Sequence, residues 1–268
     1  MDQKPCGFQP QQRNGTNNKL HITGMSRARP NNMETSPADF ALEQEPVPAS
    51  VTSKGVGSGP LLGGLEATCE DCMALMARYP DKHFDLAIVD PPYGIGVNSM
   101  NMGSRKTVRP DKKNWDDEIP TPEYFAELRR VSKKQIVWGG NYFPLRPTRG
   151  FIIWDKGEGF KNRTYAECEF AWTSFDVNAR IFKHDPLAKG DYHGKINPCQ
   201  KPIRLYKWLL KNYAKEGDRI LDTHLGSGSS AIAAFDGGFD FVGCEIDADY
   251  YMAALKRFEY HRMQQKLF

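Results

Sequence analysis

Residues 219–234, RILDTHLGSGSSAIAA, run from an apolar stretch through a glycine-rich turn into small, helix-compatible residues. A strand, a tight turn and a helix in that order commit a chain to a sheet with helices packed on its faces. The same rhythm recurs elsewhere. FDLAIVD (84–90), KQIVWGG (134–140), GFIIWDK (150–156), RILDTHL (219–225) and DFVGCEI (240–246) read as strands, mostly buried on both faces. TPEYFAELRRVS (121–132), PIRLYKWLLKNYA (202–214), SSAIAAFDGG (229–238) and ADYYMAALKRFEYHRM (248–263) read as helices, with Pro202 suited to a first helical position. The expected architecture is α/β and Rossmann-like: a mostly parallel sheet with helices on both faces.

Length and charge set outer bounds. The 268 residues suffice for one domain of roughly 200 residues and a tail. Residues 1–60, rich in Gln, Asn, Pro, Gly and Ser without periodicity, read as a disordered leader, which leaves 61–268 for the folded domain. No window reaches the ~18 apolar residues of a membrane span, and the N-terminus lacks a secretion signal. A cytoplasmic protein with its six cysteines reduced is the expectation. The net charge of +3 neither requires nor excludes a polyanionic partner.

Within the glycine turn, Gly226-Ser227-Gly228-Ser-Ser-Ala231 fits the G-x-G-x-x-G/A pattern that brings a backbone close to a cofactor at a helix N-terminus. Glu245, at the end of the next strand, is placed to accept hydrogen bonds from ribose hydroxyls. Asp222, four residues before Gly226, would repel a pyrophosphate and suits a cationic group. That favours a sulfonium cofactor, S-adenosylmethionine, over NAD.

The run FDLAIVDPPYGIG puts Asp90, Pro91, Pro92 and Tyr93 directly after a buried strand, at the edge where open α/β sheets bind ligands. Two consecutive prolines fix φ and remove two backbone donors, so an acid, outward carbonyls and an aromatic ring stand on a stiff segment. This arrangement suits a flat base with an exocyclic amine. Tyr93 can stack on the ring, while Asp90 and the Pro91 carbonyl accept the two amino hydrogens.

With these residues in view, the chain from about Leu61 to Arg262 resembles the amino-group DNA methyltransferases that use S-adenosylmethionine, whose catalytic motif is Asp-Pro-Pro-Tyr. WGGNYF (138–143), IIWDK (152–156), CQKP (199–202), LGSGSSAIAA (225–234) and FVGCEIDADYYMAALKR (241–257) support the match. The catalytic motif precedes the glycine motif, as in the permuted β group. The resemblance implies Asp90 to Tyr93 as catalytic residues. It also implies a cofactor site drawing on Asp222, Gly226, Ser227, Gly228, Glu245, Gln200, Lys201 and Asp71. Double-stranded DNA is the implied partner, with no metal and no covalent enzyme intermediate. Asp rather than Ser at the first motif position favours adenine N6 over cytosine N4 by family habit.

Two departures stand out. Asp222-Thr223-His224 replaces the family's Asp-Pro-Phe, and Asn197-Pro198-Cys199-Gln200-Lys201-Pro202 replaces His-Pro-Thr-Gln-Lys-Pro. The second creates a Pro-Cys-Gln tripeptide like that of cytosine carbon-5 methyltransferases, which attack their base with a thiolate. Here it precedes a helix, and Asp90 to Tyr93 already hold the strand end that such chemistry needs. Cys199 therefore reads as a tolerated substitute for Thr. Cys69-Glu-Asp-Cys72 lacks a second pair to complete a zinc site and reads as reduced thiols at a strand–helix junction.

Basic residues cluster in two places. The loop 98–115 carries Arg105, Lys106, Arg109, Lys112 and Lys113 against Asp111, and 178–196 carries Arg180, Lys183, Lys189 and Lys195. Phosphate contact is the reading for the first and target recognition for the second. The second is short and loop-like, so base readout is limited or shared with a second subunit in a homodimer. An N4-cytosine enzyme, an RNA or protein-glutamine methyltransferase, and a catalytically silent nucleic-acid-binding fold are the alternatives.

Overall fold

A computed structural model describes residues 59–61, 64–96, 116–162, 166–186, 196 and 199–265. The leader, apart from its last two residues, and the basic loop 98–115 therefore lie outside the described residues. Among the described residues, nine strands form one sheet in the order β1-β2-β9-β8-β3-β4-β6-β5-β7. The strands are β1 (Gly59–Leu61), β2 (Leu65–Cys69), β3 (Phe84–Val89), β4 (Ser132–Trp138), β5 (Phe151–Asp155), β6 (Cys168–Thr173), β7 (Arg180–Lys183), β8 (Arg219–Asp222) and β9 (Asp240–Glu245). The five central strands β2, β9, β8, β3 and β4 are mutually parallel, whereas β6 runs antiparallel to both β4 and β5.

Helices cover both faces. The alternation of β3 shows why: Leu86 and Ile88 point into one core with residues of α3 (Ile203–Tyr213), α4 (Ser229–Gly237) and α5 (Ala248–Gln265). Ala87 and Val89 point into the other, with α1 (Cys72–Ala77) and α2 (Pro122–Val131). In α2, Pro122 sits where its missing N–H costs nothing, and Tyr124, Phe125, Leu128 and Val131 form the buried stripe. Phe84, Trp138, Phe241 and Phe258 are each under 2% exposed, a burial worth roughly 1.5–3 kcal/mol per side chain.

Each strand and helix read from the sequence is present, with ends shifted by at most three residues. Pro202 is corrected from first helical residue to N-cap, with ψ 145° before Ile203. The recognition segment, expected to be loop, contains strand β7, which pairs in parallel with β5. Its Arg180 and Ile181 are exposed, so it offers no apolar alternation to read. The strand–helix junction expected at Cys69–Cys72 is the β2–α1 turn, whereas β1 and β6 have no counterpart among the sequence expectations. Among the described residues no helix is long and apolar enough to cross a membrane.

Candidate functional site

The carboxyl ends of the five parallel strands open on one cavity of ≈1020 Å³. Strands β8 and β3 are neighbours there, so the glycine turn and the Asp-Pro-Pro-Tyr segment lie side by side at the position where open α/β sheets hold ligands. Asp90, Pro91, Pro92 and Tyr93 all line the cavity. The Tyr93 hydroxyl donates to Asp90 Oδ1 at 2.7 Å, and its ring stacks on Tyr142 with centroids 5.1 Å apart and planes 17° apart. Gly139 makes room for it. This residue has φ +69°, and a Cβ there would stand 2.2–2.7 Å from three atoms of the Tyr93 ring.

Asp116, which belongs to none of the sequence motifs, holds this segment in place. It is 1% exposed, and its Oδ1 accepts the backbone N–H groups of Tyr93 at 2.7 Å and Gly94 at 3.1 Å. Asp116→Ala leaves those amides without their acceptor and is expected to destabilise the fold by about 2–4 kcal/mol, read from urea unfolding. Asp116→Asn keeps an acceptor oxygen and should lose less.

Charged residues continue the site inward. Lys201, in the turn before α3, is 4% exposed and donates to Asp90 Oδ2. Its Nζ also lies 3.1 Å from Glu169 Oε2 on β6, and Lys156 stands 2.8 Å from Glu169 Oε1. Burial raises the Asp90 carboxyl despite Lys201. Burial also works against ionised Glu169, but Lys201 and Lys156 together hold it down at about 2. Lys201 loses hydration, yet Asp90 and Glu169 keep it above the usual lysine range. The Cys199 thiol lines the same cavity and is pushed by burial up to about 11, so it carries no thiolate at neutral pH.

The glycine turn is braced from two sides. Gly226 and Gly228 have φ of +52° and +74°, the Gly226 amide donates to Glu245 Oε2 at 2.8 Å, and Asp247 N donates to Glu245 Oε1 at 3.0 Å. From α5, Arg257 donates to the Ser227 carbonyl at 2.8 Å and to Ser229 Oγ at 2.9 Å. Gly226, Ser227, Glu245, Gln200, Lys201 and Asp71 line the cavity; Gly228 caps α4 and Asp222 sits beneath the turn. Asp71 also caps α1 through the amides of Met73 and Ala74. Lys201 thus lies on Asp90, a placement the resemblance did not suggest.

Asp222 is 1% exposed and accepts from the His224 amide at 3.0 Å. Burial pushes its carboxyl up to about 7, whereas an unfolded Asp titrates near ~3.9. The folded state therefore holds this proton more tightly. Its contribution is greatest below pH ~4 and is lost as pH rises to about 7, up to ~4 kcal/mol in all. Asp222→Asn cannot ionise and keeps an acceptor. Thermal melts should find it more stable than the parent above pH 7, with the difference shrinking toward pH 4. His224, pushed down to about 4 by burial, is neutral throughout most of that window.

Of the basic residues assigned to DNA, Arg105, Lys106, Arg109, Lys112, Lys113 and Lys189 lie outside the described residues. Lys183 is exposed on β7, 3.8 Å from Asp155 and 3.9 Å from Glu158, away from the cavity lining. Among the described residues no cluster of His, Cys, Asp and Glu could hold a metal ion. Sequence signals could have found Glu169 and Lys156 only through their strand-end positions, and Asp116 only as the first acid of the run after the basic loop.

Residues 161–256 match the family model described as DNA methylase. YubD of Escherichia coli (strain K12) is 28% identical over 207 residues, covering 70% of this chain and 87% of the relative. The Type II methyltransferase M2.DpnII of Streptococcus pneumoniae is 25% identical over 235 residues, with the same coverage of 70% and 87%. Among solved structures, the PvuII DNA methyltransferase (cytosine-N4-specific) aligns at a TM-score of 0.49 and 12% identity, covering 73% of this chain and 86% of its own. The matched stretch encloses Glu169, Lys201, the glycine turn and Glu245, and over it the chain is similar to the DNA methylases.

Proposed function

We propose that the chain transfers a methyl group from S-adenosylmethionine to the N6 amino group of adenine in double-stranded DNA. The observation that carries this reading is the placement of Asp90 and Tyr93 beside the glycine turn on one cavity. The cavity suits the cofactor's chemistry. Gly226 allows close backbone approach, Glu245 stands at the ribose end of such a site, and Glu70, Asp71 and Asp247 on the lining favour a cationic group. When bound, the cofactor supplies a methyl group on a sulfonium that is already a strong electrophile.

The chain's own residues then position the nucleophile. A base flipped out of the duplex stacks against Tyr93, and its two amino hydrogens go to Asp90 and to the Pro91 carbonyl. Accepting those hydrogens draws the amino lone pair out of conjugation and aims it at the methyl group. As the N–C bond forms the S–C bond breaks, and the amino group sheds one of its two hydrogens as a proton, through Asp90, to solvent. The gain comes from orientation and from charge stabilisation by the buried carboxylate. Cys199, protonated at neutral pH, has no covalent part in this scheme. The basic loop 98–115 is assigned to phosphate contact, and the segment 178–196 with Lys183 to target recognition.

Adenine is preferred on the family resemblance, in which Asp rather than Ser at the first motif position goes with N6 of adenine. The test is mass analysis of nucleosides from unmodified DNA incubated with the chain and S-adenosylmethionine. N6-methyladenine is the expected product. N4-methylcytosine alone would overturn the choice of base, and no methylated nucleoside would overturn the reaction.

A further inference from the structure

Both oxygens of the Asp90 carboxylate are engaged. Oδ1 accepts from the Tyr93 hydroxyl at 2.7 Å and Oδ2 from Lys201 Nζ at 2.5 Å. Lys201 is held on three more sides. It donates to the Tyr93 oxygen at 3.2 Å, lies 3.1 Å from Glu169 Oε2, and faces the Trp138 ring at 5.2 Å. Lys156 closes the far end on Glu169 Oε1 at 2.8 Å. The result is a row, Asp90–Lys201–Glu169–Lys156, in which two carboxylates balance two ammonium groups. Its parts come from the ends of β3 and β5, from β6, and from the turn before α3.

A substrate amino group needs the Asp90 oxygen that Lys201 occupies. An ammonium in direct contact also drains the negative charge that makes Asp90 a good acceptor. Lys201 must therefore withdraw, and a buried ammonium cannot withdraw into an apolar wall. Glu169 is already 3.1 Å away, so a small shift keeps the charge paired. The two carboxylates are unequal in the right sense: burial leaves Asp90 raised, whereas Glu169, facing two ammonium groups, is held low.

We propose that Lys201 stands in for the substrate amino group on Asp90, and that Glu169 takes over its ammonium when the base enters, making Glu169 a positioning residue for the reaction. This rests on the methyl-transfer reading above. No proton changes hands in the exchange, since Lys201 stays an ammonium and both carboxylates stay ionised. Once methylated, the amino group has one hydrogen in place of two, so it competes less well for Asp90, and the return of Lys201 favours product release.

The test measures single-turnover transfer of labelled methyl groups to amplified, unmodified genomic DNA, with cofactor affinity measured by calorimetry. Glu169→Gln leaves Lys201 no ionised partner other than Asp90, so transfer should fall by about 10-fold or more while cofactor affinity changes by less than about 3-fold. Adding Lys201→Met to Glu169→Gln frees Asp90 and should recover about 5-fold or more of the loss, a rescue that a merely structural role for Glu169 does not predict. Glu169→Asp, which keeps a carboxylate, should lose less than Glu169→Gln. If Glu169→Gln transfers within 2-fold of the parent, loses cofactor binding in step with activity, or gains nothing from the second substitution, the exchange is overturned. A parent chain that transfers no methyl group to DNA overturns the underlying reading and the exchange with it.

Discussion

Asp90→Ala is expected to reduce methyl transfer to DNA by about 10²–10³-fold or more, because it removes the acceptor that orients the amino nitrogen and the buried negative charge facing the reaction. Cofactor affinity should change little, since Gly226 lies in the turn after β8 and Glu245 ends β9, neither of them on β3. Lys201 keeps Glu169 as a partner in this variant, 3.1 Å away, so the fold should survive the loss of the ion pair. The companion measurement is Cys199→Ser in the same assay, expected to stay within about 3-fold of the parent because the buried thiol is not ionised. A dead Cys199→Ser beside an active Asp90→Ala would replace this mechanism with attack by sulfur.

Gly139→Ala should cost nearly as much activity without touching a reacting group. At φ +69° an added Cβ carries the left-handed penalty of about 1–2 kcal/mol. It would also stand 2.2, 2.4 and 2.7 Å from Tyr93 Cε1, Cδ1 and Cζ. Something must move, and Tyr142 stacks against the Tyr93 ring at 5.1 Å. Displacing the ring breaks its hydroxyl contacts with Asp90 and Lys201 together. Transfer should fall by about 10²-fold, with a lowered melting temperature and near-normal cofactor affinity. Full activity in Gly139→Ala would show that the ring position observed here is not the one used with substrate.

These two predictions differ in what made them visible. Asp90 could be singled out from the order of residues, because a buried apolar run ending in an acid and two prolines has few structural uses. Gly139 could not, since its role depends on Tyr93, which lies 46 positions earlier (139 − 93 = 46) and meets it across the neighbouring ends of β3 and β4. The same contrast runs through the fold. Strands β3, β4, β5, β8 and β9 and helices α2 to α5 declare themselves by long or regular apolar spacing. Strand β7 is four residues long with most of its side chains exposed, and α1 has six residues, so neither repeats its period more than about twice.

Local periodicity and stiff turns thus suffice to predict the α/β architecture and to mark two strand ends, the Asp90–Tyr93 segment and the glycine turn, that the fold brings onto one cavity. They did not reveal the row of charges that joins those ends. Lys201 reaches Asp90 across 111 positions, Glu169 lies within a strand that sequence spacing left unmarked, and Asp116 turns back on Tyr93 and Gly94 from the far side of the basic loop. The physical reason is one of range. Periodicity reports which face of an element is buried against its neighbours, whereas a buried charge finds its partner only when several strand ends are brought to the same edge of the sheet.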